Sequence, residues 1–190
     1  MKRSCGARPL LYTHPVLIVC TYDAEGNPDA MTAAWGGICS SNPPSVAVSI
    51  QKVRKTYENI QHQKAFTVCI PSSDHVVAAD YFGIESGRNA DKIATAGLSA
   101  VRSDLVDAPY IAEFPVVLEC RLTGSVEIGI HTQFVGEILD VKVDESVLGP
   151  DGVPDIAKVM PFVYDSAGRA YHAVGPAIAK AFSAGLVLKK

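Results

Sequence analysis

The sequence predicts a mainly β fold, an antiparallel barrel with short helices on its flanks. Three observations predict it. Apolar runs at 16–21, 46–50 and 65–70 are short and bounded by turn residues, as buried strands are. Leu118, Cys120 and Leu122 alternate with Glu119 and Arg121, and Leu139, Val141 and Val143 alternate with Asp140, Lys142 and Asp144. That period of two marks half-buried strands with one solvated face. The helical stretches between them, 56–63, 74–82 and 89–96, are two or three turns each. Without a regular strand–helix–strand alternation, a closed antiparallel barrel is favoured over a doubly wound parallel sheet.

The elements follow in order. Lys2 and Arg3 precede an apolar stretch ending at Cys20, a pattern close to a secretory leader. Pro9, His14 and Pro15 interrupt it, and Val19 is too large for a cleavage position, so the segment is read as part of the fold and the protein as cytoplasmic. Residues 16–22 run into a turn, Asp23–Asn27, and a second strand, which makes a hairpin. Residues 144–158, rich in Asp, Gly and Pro, read as a surface excursion, and strands at 162–165 and 170–174 are expected to close the sheet. The 190 residues suit one domain, 1–190, large enough to bury a core without staples.

Composition excludes several functions. Seventeen basic against twenty acidic residues give a net charge of −3, without the basic surplus of a nucleic-acid binder. No apolar run approaches the ~20 residues of a membrane span. The mean hydropathy of +0.17 is a weak sign of a buried subunit interface. The five cysteines, at 5, 20, 39, 69 and 120, show no metal or disulfide spacing, so no metal site is expected. Cys20, Cys69 and Cys120 sit in apolar runs as small core residues, while Cys39 lies in a polar stretch where a thiol could react.

Four segments could carry chemistry. In 49–60, SIQKVRKTYENI, a strand ends near Gln51, and Lys52, Arg54 and Lys55 precede Thr56 at the predicted N-cap of a helix. Cations, a hydroxyl and a helix N-terminus in one turn suit a phosphate, although a threonine-capped basic turn has the same pattern. In 31–44, MTAAWGGICSSNPP, small residues flank the only tryptophan, where a flat ligand could approach the backbone; a strand with a glycine bend reads the same way. In 86–92, SGRNADK, Arg88 and Lys92 flank Asp91, as an anion site or a surface ion pair. His131 opens an alternating strand, and no other histidine stands at a metal-ligand spacing from it. Neither glycine-rich nucleotide loop is present.

Taken in order, MTAAWGGICSSNPP, SIQKVRKTYENI, FTVCIPS, ADYFGIESGRNADK, VDAPYIAEFPVVLEC and GIHTQFVGEILDV resemble the flavoredoxins and flavin reductase-like FMN-binding split-barrel proteins, from about residue 10 to the C-terminus. The resemblance implies a six-stranded antiparallel split β-barrel with short flanking helices, a homodimer, and non-covalent FMN near the subunit interface. It implies that Met31, Thr32, Ala33, Ala34 and Trp35 run along the isoalloxazine ring. Ser49, Ile50, Gln51, Lys52, Arg54 and Thr56 then wrap the ribityl chain and phosphate. Ser86, Gly87, Arg88 and Lys92 add polar contacts, and His131 lies where a nicotinamide stacks. The chain departs from the pattern here: many relatives carry an aromatic where it has Lys55, and an arginine or asparagine is common near Gln51. The implied activity is NAD(P)H-dependent flavin reductase-like oxidoreduction, or electron transfer from a redox partner. The alternatives are an FMN-holding electron carrier without turnover and a pyridoxamine phosphate oxidase-like oxidase. The flavin would do the redox work while the protein supplies position and charge.

Overall fold

A computed structural model of the chain describes residues 1–189. Its strands are β1 (His14–Pro15), β2 (Leu17–Tyr22), β3 (Pro28–Ala33), β4 (Gly36–Ser41), β5 (Pro44–Gln51), β6 (Ala65–Ile70), β7 (Ala100–Arg102), β8 (Pro109–Ile111), β9 (Val116–Ile128), β10 (His131–Val143), β11 (Phe162–Asp165) and β12 (Ala170–Ala173). Its α-helices are α1 (Lys55–Gln63), α2 (Val76–Ile84), α3 (Lys92–Thr95) and α4 (Ile156–Val159).

Seven strands form one antiparallel sheet in the order β3-β2-β6-β9-β10-β5-β4. Among the described residues no ladder joins β3 to β4, so the sheet curls into a barrel that stays split. The seventh strand is β4: Gly36 and Gly37, read from the sequence as a bend, pair with Val48 and Ala47 of β5. β11 and β12, expected to close the main sheet, instead pair with β1 in a separate three-stranded sheet.

Two cores explain why the strand sequences look as they do. Leu17 and Val19 of β2, Met31 and Ala33 of β3, Val48 and Ile50 of β5, Phe66 of β6 and Phe134 of β10 fill the barrel interior. Ile18 and Cys20 of β2 face the other way, onto Ala79 and Phe82 of α2 and Ile93 of α3. Strands buried on both faces read as continuous apolar runs, which is why 16–21 shows no alternation. Gly136 of β10, opposite a bulge in β9, lets Phe66 fill the interior: a Cβ there would lie 2.5 Å from the Phe66 ring.

Glu119 departs from its expected solvated face. It is fully buried, because 103–111 covers that side of β9. Ser103 Oγ donates a hydrogen bond to it and Lys142 Nζ stands 3.6 Å away. Arg121, on the same face, remains exposed and pairs with Glu137 at 2.7 Å. The predicted helix 89–96 shrinks to α3, because Asp91 caps it: Ala94 N–H donates to Asp91 Oδ1 at 3.0 Å. Cys20, Cys69 and Cys120 are buried as expected. Burial pushes the Cys120 thiol up to about 12, so it stays protonated.

Candidate functional site

The split between β3 and β4 opens the main hollow. Its volume is about 500 Å³, within the roughly 300–1,000 Å³ of small-molecule sites. Met31–Trp35 run along one wall at the end of β3, and Ser49, Ile50 and Gln51 along another at the end of β5. The Ser49 amide donates to the Trp35 carbonyl at 2.8 Å, which holds the two walls together. Thr32 Oγ1 donates to the Ala79 carbonyl and ties β3 to α2. His131 lies opposite Gln51 in the β10–β5 ladder. Its ring centroid is 4.8 Å from that of Trp35. The far wall comes from α2 (Asp80, Gly83, Ile84) and from the β11–β12 hairpin (Tyr164, Arg169, Tyr171). Tyr171 donates to Asp80 at 2.8 Å. Burial, then the Asp80 carboxylate, raises the Tyr171 phenol above its usual range and keeps it a donor.

A smaller hollow of about 180 Å³ adjoins the first and shares Met31, Gln51 and Arg54 with it. Thr56, Glu85, Ser86, Gly87 and Lys92 complete its lining, with Asp29, Val53 and Lys55. The first turn of α1 borders it. Arg54, and not the predicted Thr56, occupies the N-cap position, and no side chain caps the turn. Thr56 is the buried second residue of the helix. An uncapped first turn leaves backbone N–H groups free to meet an anion.

The charges around this hollow are almost all matched. Lys92 and Asp29, each 3% exposed, pair at 3.1 Å. Lys55 pairs with Asp23 at 3.0 Å and donates to the Gly87 carbonyl at 3.1 Å. Gly87 packs so closely on Asp29 that any Cβ would overlap the carboxylate. The Ser86 amide and Asn89 hydrogen-bond Glu85 and hold its carboxyl below the usual range. Arg54 is the exception. Among the described residues no carboxylate lies within ion-pair distance of it, and its one protein bond goes to the Gly83 carbonyl at 3.3 Å.

Most of the residues singled out from the sequence therefore meet in one place. Met31, Thr32, Ala33, Ala34, Trp35, Ser49, Ile50, Gln51, Arg54 and His131 line the main hollow, and Thr56, Ser86, Gly87 and Lys92 the smaller one. Two lie outside both. Lys52 pairs with Glu127 at 2.9 Å, and Arg88 pairs with Glu58 at 2.7 Å while donating to the Val53 carbonyl. Asp80, Tyr164, Arg169 and Tyr171 were not foreseen. Tyr164 faces Tyr171 directly in the β11–β12 ladder, so pairing the two predicted strands as a hairpin would have brought them together.

The arrangement suits a flat molecule with an anionic tail. Small residues and aromatic rings line the broad part, and the unmatched Arg54 and a free helix turn lie at the narrow part. No group of three or more His, Cys, Asp or Glu side chains among the described residues is placed to hold a metal ion.

A family model described as flavin reductase like domain matches residues 10–173. The solved flavoredoxin of Desulfovibrio vulgaris (Miyazaki F) is 54% identical, with 97% of this chain and 100% of that chain covered and a TM-score of 0.93. The flavoredoxin from Methanosarcina acetivorans is 29% identical, with 99% and 98% covered and a TM-score of 0.89. An NADH:riboflavin 5'-phosphate oxidoreductase of Streptomyces pristinaespiralis is 27% identical over 136 residues, which is 72% of this chain and 74% of that protein.

Proposed function

This chain belongs to the flavin reductase-like family, and from that premise we propose that it is one FMN-binding unit that passes hydride or electrons from NAD(P)H or a redox partner to an acceptor. The observation that carries the reading is Arg54. It is a site cation without a carboxylate partner among the described residues, it alone of the cations lines both hollows, and it stands beside the uncapped turn of α1. The phosphate of FMN would meet its guanidinium and the free N–H groups of that turn, with Thr56, Ser86 and Gly87 around it. Lys92 would contribute hydrogen bonding more than net charge, since Asp29 matches it. Lys52 and Arg88 would act from outside, by holding Glu127 and Glu58.

The ring would lie in the main hollow along the backbone of Met31–Trp35, with Ser49, Ile50 and Gln51 on the other side. Bound there, FMN would supply the redox chemistry, taking up and releasing hydride or electrons. The protein's part is to orient the ring and to leave one approach open. His131 and Trp35 form a tilted ring pair at that approach, where His131 would position a nicotinamide. We also read the protein as a homodimer in the cytoplasm. Exposed Ile38, Val126, Ile128 and Ile130 suit the first, and five free cysteines suit a reducing compartment.

The test is the absorption spectrum of the purified protein, then anaerobic addition of NADH and NADPH. The expected result is a flavin spectrum that bleaches with at least one donor, with FMN released to the supernatant by acid. Protein that neither carries nor takes up FMN would overturn the reading. Bound flavin inert to both donors would leave the electron-carrier alternative.

A further inference from the structure

Beyond β12 the chain continues as an arm, residues 174–189. Every residue of it except Ser183 is exposed. Ile178 and Phe182 are fully exposed, Val187 and Leu188 nearly as much, and Leu186 by more than half. The arm's hydrogen bonds are local: Ser183 Oγ and the Ala184 amide donate to the Lys180 carbonyl, and the Leu186 amide to the Ser183 carbonyl. Such a density of apolar side chains, each left in water, is a contact surface without its counterpart.

A counterpart lies elsewhere on the same chain. A groove of about 510 Å³ runs past Pro9, Leu11, Pro15, Trp35, Ile38 and Cys39. Leu11 and Ile38 in it are mostly exposed. Along this groove runs β4, an outer strand of the seven-stranded sheet, which among the described residues pairs with β5 alone. An open strand edge beside an apolar trough accepts an extended segment, whose backbone extends the sheet and whose alternate side chains fill the trough. The arm has the chemistry for it. Residues 174–180 are in neither helix nor strand, so their backbone is free to pair, and Ile178 and Phe182 are fully exposed.

We propose that the arm of one subunit lies along β4 and in the apolar groove of a second copy, with the exchange repeated in reverse. This rests on the homodimer reading above and deepens it. A second copy is the occupant because each chain carries one arm and one groove, so a twofold exchange satisfies both and closes the assembly. Ala34, Trp35 and Ser49 line the groove on one side and the main hollow on the other. The partner's arm therefore backs the tryptophan wall of the candidate flavin site, and the site is complete only in the dimer.

Cys39 in the groove provides the probe, because it is free and exposed. In the full chain carrying Cys5→Ser, Ile178→Cys, Phe182→Cys and Leu186→Cys are made one at a time and oxidised mildly. The expected result is a disulfide-linked dimer from at least one of them, lost when Cys39→Ser is added. Independently, Ile178→Asp with Phe182→Asp should raise the dimer dissociation constant at least tenfold in sedimentation. Both side chains are fully exposed in the subunit, so unchanged circular dichroism is expected. An unchanged dimer with no cross-link at any position would overturn arm exchange and leave the homodimer standing. A disulfide formed within one chain would also overturn it. A wild-type protein that is monomeric at every concentration would remove both.

Discussion

At Asp23 two effects oppose each other on one carboxylate. Burial raises its pKa, but hydrogen bonds from Lys55 and Asn27 outweigh burial and hold it below the usual range. A lowered folded-state pKa means that the stabilisation is fully present above the unfolded value of about 3.9 and is lost as pH falls through the folded value. Asp23→Asn should therefore lower the urea midpoint near neutral pH, and the gap to wild type should close as the pH drops below about 4. A gap that stays constant from pH 6 to pH 3 would show that this pair does not contribute through charge. Arg54 and His131 make a second contrast at this scale. A charge-assisted bond to phosphate is typically worth ~1.5–3 kcal/mol, or roughly ten- to hundredfold in affinity. Arg54→Ala should cost FMN affinity in that range, measured by titrating apo-protein. His131→Ala should leave FMN binding nearly intact and slow anaerobic reduction by NAD(P)H. Equal FMN affinities for wild type and Arg54→Ala would remove Arg54 from the site. Motif spacing placed Arg54 in this site, but it could not tell Arg54 from Lys52 or Arg88. That difference depends on Glu127 and Glu58, which come from other elements and meet these cations only after folding.

Among the elements, those with a local cause were legible. α1 starts where the apolar run of β5 ends, and its buried stripe Thr56, Asn59, Ile60 has helical spacing. β9 and β10 showed their period where one face meets water. Elements with a tertiary cause were not legible. β4 is a strand because β5 offers it a ladder; its own Gly36-Gly37 start signals a bend. Glu119 looked solvated because charge at an alternating position usually is, and only the crossing of 103–111 over β9 buries it. Gly136 gives this scale its prediction. With Phe66 pressed against it, Gly136→Ala should overpack the barrel interior and cost about 1–3 kcal/mol. Denaturant unfolding measures this, and a Phe66→Leu background should recover part of the loss. Equal stability of Gly136→Ala and wild type would mean that the Phe66 ring moves aside at no cost.

For the whole molecule, assembly and cofactor binding should be one equilibrium. The residues proposed to hold the ring include Trp35, and the same tryptophan borders the apolar groove assigned to a second copy. A ligand that meets a wall braced by the partner binds the dimer better than the monomer. Linkage then fixes the reciprocal effect: whatever factor separates FMN affinity in dimer and monomer also separates dimer affinity with and without FMN. The coupling need not be large to be measured, since ~1.4 kcal/mol is tenfold in either constant. Sedimentation of apo- and FMN-loaded protein over one dilution series should show tighter dimers when FMN is present. Fluorescence of released FMN should rise over the same concentrations at which dimers dissociate. Trp35, the only tryptophan, offers a third signal from the shared wall. Identical dimer dissociation constants with and without FMN would break the linkage and confine the flavin to a single subunit, with the groove and its arm serving assembly alone.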